Sequence, residues 1–75
     1  MILSIPPRWP AADGTVIACR DKLKVLAENH AELAQMLRDV FEDAVLMGVD
    51  EAAMREILTA MVQNLENPKR ARAAE

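Results

Sequence analysis

From Val16 onward the apolar positions of this chain recur in strict rhythm. Val16, Cys19, Leu23, Leu26, His30, Leu33, Leu37, Val40, Ala44 and Met47 follow one another at alternating intervals of three and four. That is a heptad repeat, with Val16, Leu23, His30, Leu37 and Ala44 in one core position and Cys19, Leu26, Leu33, Val40 and Met47 in the other. Sustained over positions 16 to 47, it predicts a single long helix, roughly 50 Å from end to end, carrying a coiled-coil-like seam. Ala27, Ala34 and Phe41 form a neighbouring stripe that widens the apolar face enough for another helix to pack.

Gly48 stops this pattern, because glycine is the residue that closes helix C-termini in the left-handed conformation, and Val49 follows where a hydrophobic contact commonly accompanies it. Asp50 and Glu51 then supply a cap and a favourable first-turn charge for a second helix. Its apolar positions, Met54, Ile57, Leu58, Met61, Val62 and Leu65, keep to one face, and Asn67-Pro68 ends it. The short link predicts an antiparallel helical hairpin with helices at about 15–47 and 51–66. Residues 1–14 hold Pro6, Pro7 and Pro10 and read as an extended proline-rich arm. Asp13 or Thr15 is the expected cap of the long helix, and residues 67–75 read as a flexible tail.

The second helix is about half as long as the first, so folded back it covers only the part from Leu33 to Met47. Val16, Cys19, Leu23 and Leu26 would face water, at a cost of ~1.5–3 kcal/mol for each large aliphatic side chain. A chain of 75 residues hides only about 60% of its unfolded surface and ordinarily needs a staple. Cys19 is the only cysteine, so no disulfide forms within the chain. Oligomerisation remains, and the expected fold class is all-α: a helical hairpin that dimerises into a coiled-coil-like four-helix assembly. Arg20, Lys22 and Lys24 near the start of the long helix and Asp39, Glu42 and Asp43 near its end favour an antiparallel homodimer with its two-fold axis near His30.

Composition agrees with helix: 52% of residues are apolar, yet Trp9 and Phe41 are the only aromatic ones. No apolar run approaches the ~20 residues of a membrane span, and the start, Met1 to Ile5, has neither the basic leader nor the length of a signal peptide. The expected setting is therefore cytoplasmic, with no membrane partner.

Candidate chemistry is sparse. His30, the one polar seam residue, reads either as a register-fixing group or as a pH switch. Cys19, placed on the seam, reads as a small hydrophobe rather than a redox thiol. Glu28-Asn29-His30 lacks the Glu-x-x-His spacing of carboxylate-bundle metal sites, and there is no Cys-x-x-Cys or His-x-x-x-His. Neither a nucleophilic triad nor a phosphate-cradling glycine loop is present, so no enzyme, cofactor or metal is expected. Asp21, Glu28, Glu32, Asp39 and Glu42 lie outward, as a solvated surface or as a docking face for a basic partner. Arg8 and Trp9 are the candidate contacts for a partner protein, since Trp anchors interfaces and proline reduces the entropy lost on docking; the other reading packs Trp9 onto its own dimer.

Asp39-Val40-Phe41-Glu42-Asp43-Ala44, Gly48-Val49-Asp50 and Met54-Arg55-Glu56-Ile57-Leu58 together resemble part of the GapR-type proteins of alphaproteobacteria, over about a quarter of the chain. The chain as a whole also resembles other small helical proteins of proteobacteria. The GapR resemblance implies a small helical oligomer associated with DNA. Charge points the other way: residues 15–66 hold five bases and ten acids, within a whole-chain net charge of −3, whereas duplex binding draws on a basic face. The expected function is a non-catalytic protein–protein interaction module acting as a helical homodimer, with a DNA-associated protein as the alternative.

Overall fold

The computed structural model describes residues 8–73, and the side chains of residues 8–70. The proline-rich arm expected over residues 1–14 therefore lies outside the described residues as far as Pro7. Three helices follow one another: α1 (Arg20–Leu46), α2 (Glu51–Gln63) and the short α3 (Pro68–Ala73). The chain divides into two compact units, Met1–Val40 and Phe41–Glu75.

In the first unit the chain before α1 turns back on itself. The Ala11 N–H donates to the Thr15 carbonyl at 2.7 Å, the Gly14 N–H to Ala11 at 3.0 Å and the Ile17 N–H to Trp9 at 2.8 Å. Pro10 and Val16 form an isolated antiparallel bridge. This is the three-residue loop in which a glycine at positive φ closes the turn, and Gly14 has φ +92°. The Asp13 carboxylate accepts hydrogen bonds from the Thr15 backbone N–H (3.0 Å) and hydroxyl (2.6 Å), which stiffens the tip. Proline at position 10 suits the bridge because it lacks the N–H that a longer ladder would demand.

The turn corrects the expected helix start. α1 begins at Arg20, not near residue 15, because Val16 and Ile17 spend their backbone groups on the turn. Cys19 becomes the residue at the helix entrance, its carbonyl accepting the N–H of Leu23 at 2.9 Å. Val16 and Cys19 thus drop out of the helical seam, and neither Asp13 nor Thr15 caps α1.

Along α1, Leu23, Leu26, Ala27, His30 and Ala34 are half-buried. They share one edge of the apolar band, which includes part of the small-residue stripe read beside the heptads. Leu33, Met36, Leu37 and Val40 form the other edge and are exposed.

In the second unit α1 ends as its sequence demands. The Val49 N–H reaches the Ala44 carbonyl at 2.9 Å and the Gly48 N–H reaches Val45 at 3.0 Å, with Gly48 at φ +105°. This paired closure satisfies carbonyls that a helix end otherwise leaves open. The Asp50 side chain then caps α2, accepting the Ala53 N–H at 2.9 Å. Ala44 and Met54 are the buried side chains, with Phe41, Ala53 and Leu58 half-buried around them. The Arg55 guanidinium lies 4.7 Å from the centre of the Phe41 ring and pairs with Glu51 at 3.4 Å. α2 stops at Gln63, three residues before the expected end. The stretch expected as a loose tail instead begins α3, where Pro68 takes the first helical position and Asn67 accepts the Lys69 N–H at 2.8 Å.

Candidate interaction surface

At 100° per residue, Leu33, Met36, Leu37 and Val40 stand at i, i+3, i+4 and i+7, a two-turn stripe on one side of α1. Their relative exposures are 64%, 62%, 46% and 40%. Three of the four belong to the expected dimer seam. Met36 does not, because a strict heptad reading skips it, although its spacing of three from Leu33 was the available signal.

A second line runs parallel to this stripe. Asp21, Glu28, Glu32 and Asp39, at intervals of seven, four and seven, fall within a narrow sector on the flank away from the half-buried edge. All four are exposed. Asp39 accepts a hydrogen bond from the Gln35 side-chain amide at 2.8 Å, and Arg38 donates to Gln35 rather than to an acid. The ion pair found among the described residues is Arg55–Glu51, in the other unit. Among the described residues, no basic side chain forms an ion pair with this acidic row.

The remaining seam residues divide. Leu23, Leu26 and His30 lie on the half-buried edge, whereas Val16 and Cys19 precede the helix. Trp9 meets His30 edge-on, with ring centroids 6.0 Å apart and planes at 81°. This T-shaped geometry sets the positive edge of one ring against the face of the other, a contact worth ~0.5–1.5 kcal/mol beyond area burial. Of the two candidate partner contacts, Arg8 is exposed and Trp9 is half-buried against its own α1.

Cys19 precedes α1 instead of lying within it, and in the single chain its thiol is exposed at the entrance to the helix. Backbone N–H groups of Lys22 and then Asp21 point at its sulfur and hold the thiol pKa below its ordinary value, with the Lys22 charge adding a smaller pull. The Asp13 carboxyl is likewise held low, chiefly by the Thr15 hydroxyl and then by the Thr15 N–H.

Among the described residues no three His, Cys, Asp or Glu side chains gather as a metal site would require. No helix there is long and apolar enough to cross a membrane. In the second unit Leu46, Met47, Ile57, Met61, Val62 and Leu65 form a further exposed apolar set, at 50–84% exposure. Compared with protein-family models, curated proteins and solved structures, the chain finds no match in any of the three.

Proposed function

We propose that this chain is a non-catalytic protein–protein interaction module that works as a helical homodimer. One observation carries the reading: the only buried hydrophobic side chains among the described residues are Ala44 and Met54, while fourteen large hydrophobic ones are exposed. Such a core contributes little toward the conformational entropy of ordering a chain, so the apolar surface has to be covered from outside.

In this reading α1 and α2 make an antiparallel hairpin closed where Ala44 and Met54 are buried, with Leu33, Met36, Leu37 and Val40 left open and not covered as the sequence predicts. Here two copies pair through the exposed apolar residues of the second unit, Leu46, Met47, Ile57, Met61, Val62 and Leu65, in place of the α1 seam from Val16 to Val40 that the heptads predict, completing a four-helix assembly. The test is sedimentation of the full chain at micromolar concentration, joined to affinity capture with and without nuclease. A particle of twice the 8.3 kDa chain mass, and a captured protein that survives nuclease, are the expected results. A monomer across the whole concentration range overturns the dimer. Capture that nuclease abolishes replaces the module with the DNA-associated alternative.

A further inference from the structure

We infer that the stripe Leu33–Met36–Leu37–Val40, with the acidic row beside it, is a docking surface for an amphipathic helix whose polar flank is basic. The inference rests on the interaction-module reading but not on the homodimer. The stripe offers the i, i+3, i+4, i+7 pattern by which one helix receives another, and all four side chains are open to solvent.

Charge selects the occupant. A helix seated on the stripe has one flank beside Glu32 and Asp39, with Glu28 and Asp21 continuing the row toward the start of α1, and among the described residues no basic side chain forms an ion pair with them. Lysines or arginines on that flank gain attraction and faster encounter; acids there lose both. The opposite flank meets the half-buried edge of α1, where Trp9 already covers His30. The surface is therefore one-sided, apolar in the centre and acidic along a single margin, and it orients its partner as well as binding it.

A second copy of this chain fits less well. In an antiparallel two-fold pair each flank meets its own counterpart, so the two acidic rows would lie on the same side of the joint. A pair centred between Met36 and Leu37 places position n beside position 73 − n of the other chain. Arg20, Lys22 and Lys24, whose attraction to the far end of α1 favoured self-pairing, then fall opposite positions 53, 51 and 49, beyond the end of α1 at Leu46. The basic groups miss the acids they would need, and the acids keep each other's company.

The experiment titrates the full chain with a fluorescent synthetic helical peptide of about 20 residues, about 30 Å long, bearing a leucine stripe and lysines along one flank. Its control carries glutamates in place of the lysines. Anisotropy at low and moderate salt is the readout. The basic peptide should bind and weaken as salt screens the acidic row, while the acidic peptide should not bind. Leu37→Ser, and separately Glu32→Lys with Asp39→Lys, should each weaken binding about tenfold. The charge-matched control Glu56→Lys with Glu66→Lys, both exposed and outside α1, should change it less than twofold. Leu37, Glu32 and Asp39 are exposed, so helix content by circular dichroism should hold in all variants. Equal binding of both peptides, no binding of either, or indifference to Glu32→Lys with Asp39→Lys would each overturn the assignment. So would loss of self-association in Leu37→Ser, which would give the stripe to a second copy. A chain that sediments as a monomer yet takes the basic peptide refutes only the homodimer. A dimer that ignores the peptide refutes only this surface.

Discussion

Replacing Gly48 by L-alanine and by D-alanine should shift stability in opposite directions. Gly48 sits at φ +105° and closes the end of α1, and a Cβ built there meets nothing within 4 Å. The effect is therefore one of backbone alone. An L-residue held in left-handed backbone costs ~1–2 kcal/mol. The loss of unfolded-state freedom on replacing glycine by alanine returns ~0.4–1 kcal/mol. The L-variant should be less stable by ~1 kcal/mol, equivalent to a fall in Tm of about 4–8 °C for a domain of this size. D-Alanine prefers positive φ, so it keeps the entropic gain without the strain and should be more stable by ~0.4–1 kcal/mol. A chain this short is accessible to chemical synthesis, and urea unfolding followed by circular dichroism at 222 nm supplies the comparison. All three proteins must be measured at one concentration, since self-association moves apparent stability by mass action. A D-variant destabilised as much as the L-variant would mean that the Cβ meets a packed surface. An unchanged L-variant would mean that the Ala44–Val49 and Val45–Gly48 hydrogen bonds do not hold the end of α1.

Three further outcomes follow from the first unit. Trp9→Ala should cost ~1–2 kcal/mol, the edge contact plus partial burial, and should speed amide exchange at Ala11 and Ile17; unchanged exchange would show that the turn stands without its anchor. Because the folded Asp13 carboxyl is held below its ordinary value, its contribution to stability is complete above the unfolded pKa, about 4, and is lost as pH falls through the lower folded value. Carbon-detected NMR titration should show Thr15→Val moving that carboxyl upward, and a curve identical to wild type would remove the hydroxyl as the main cause. The pH midpoint of Cys19 alkylation by iodoacetamide should lie lower in the native chain than in guanidinium chloride, where the N–H groups of Lys22 and Asp21 no longer face the sulfur; coincident midpoints would contradict the geometry.

What could be read from the sequence follows from which signals are local. The end of α1 and the start of α2 were legible because Gly48, Val49, Asp50 and Glu51 each act within one helical turn, and the hydrogen bonds of Gly48, Val49 and Asp50 are as their residue types require. The start of α1 was not. Val16 and Cys19 satisfy the heptad spacing, yet Asp13-Gly14 between apolar neighbours is also a turn signal, and the turn closes through the pairing of Pro10 with Val16, which periodicity does not see. The apolar band of α1 is wide, as the stripe of Ala27, Ala34 and Phe41 beside the heptads predicts, but a strict repeat places its centre midway. In the structure Leu23, Ala27, His30 and Ala34 are the sheltered side, and Leu33, Met36, Leu37 and Val40 the open one. Cys19 follows from the later start of α1: standing before the helix and not within it, its sulfur faces the N–H groups of Lys22 and Asp21.

The contact between Trp9 and His30 also gives the protein a built-in optical gauge. The chain has a single indole and a single imidazole, and they lie 6.0 Å apart. Indole emission responds to the polarity around the ring, so one fluorescence band reports the seating of the turn against α1. Peptide binding, dimerisation and denaturation can then be followed on one unlabelled sample, with Phe41, the other aromatic residue, silent at the excitation wavelength of the indole.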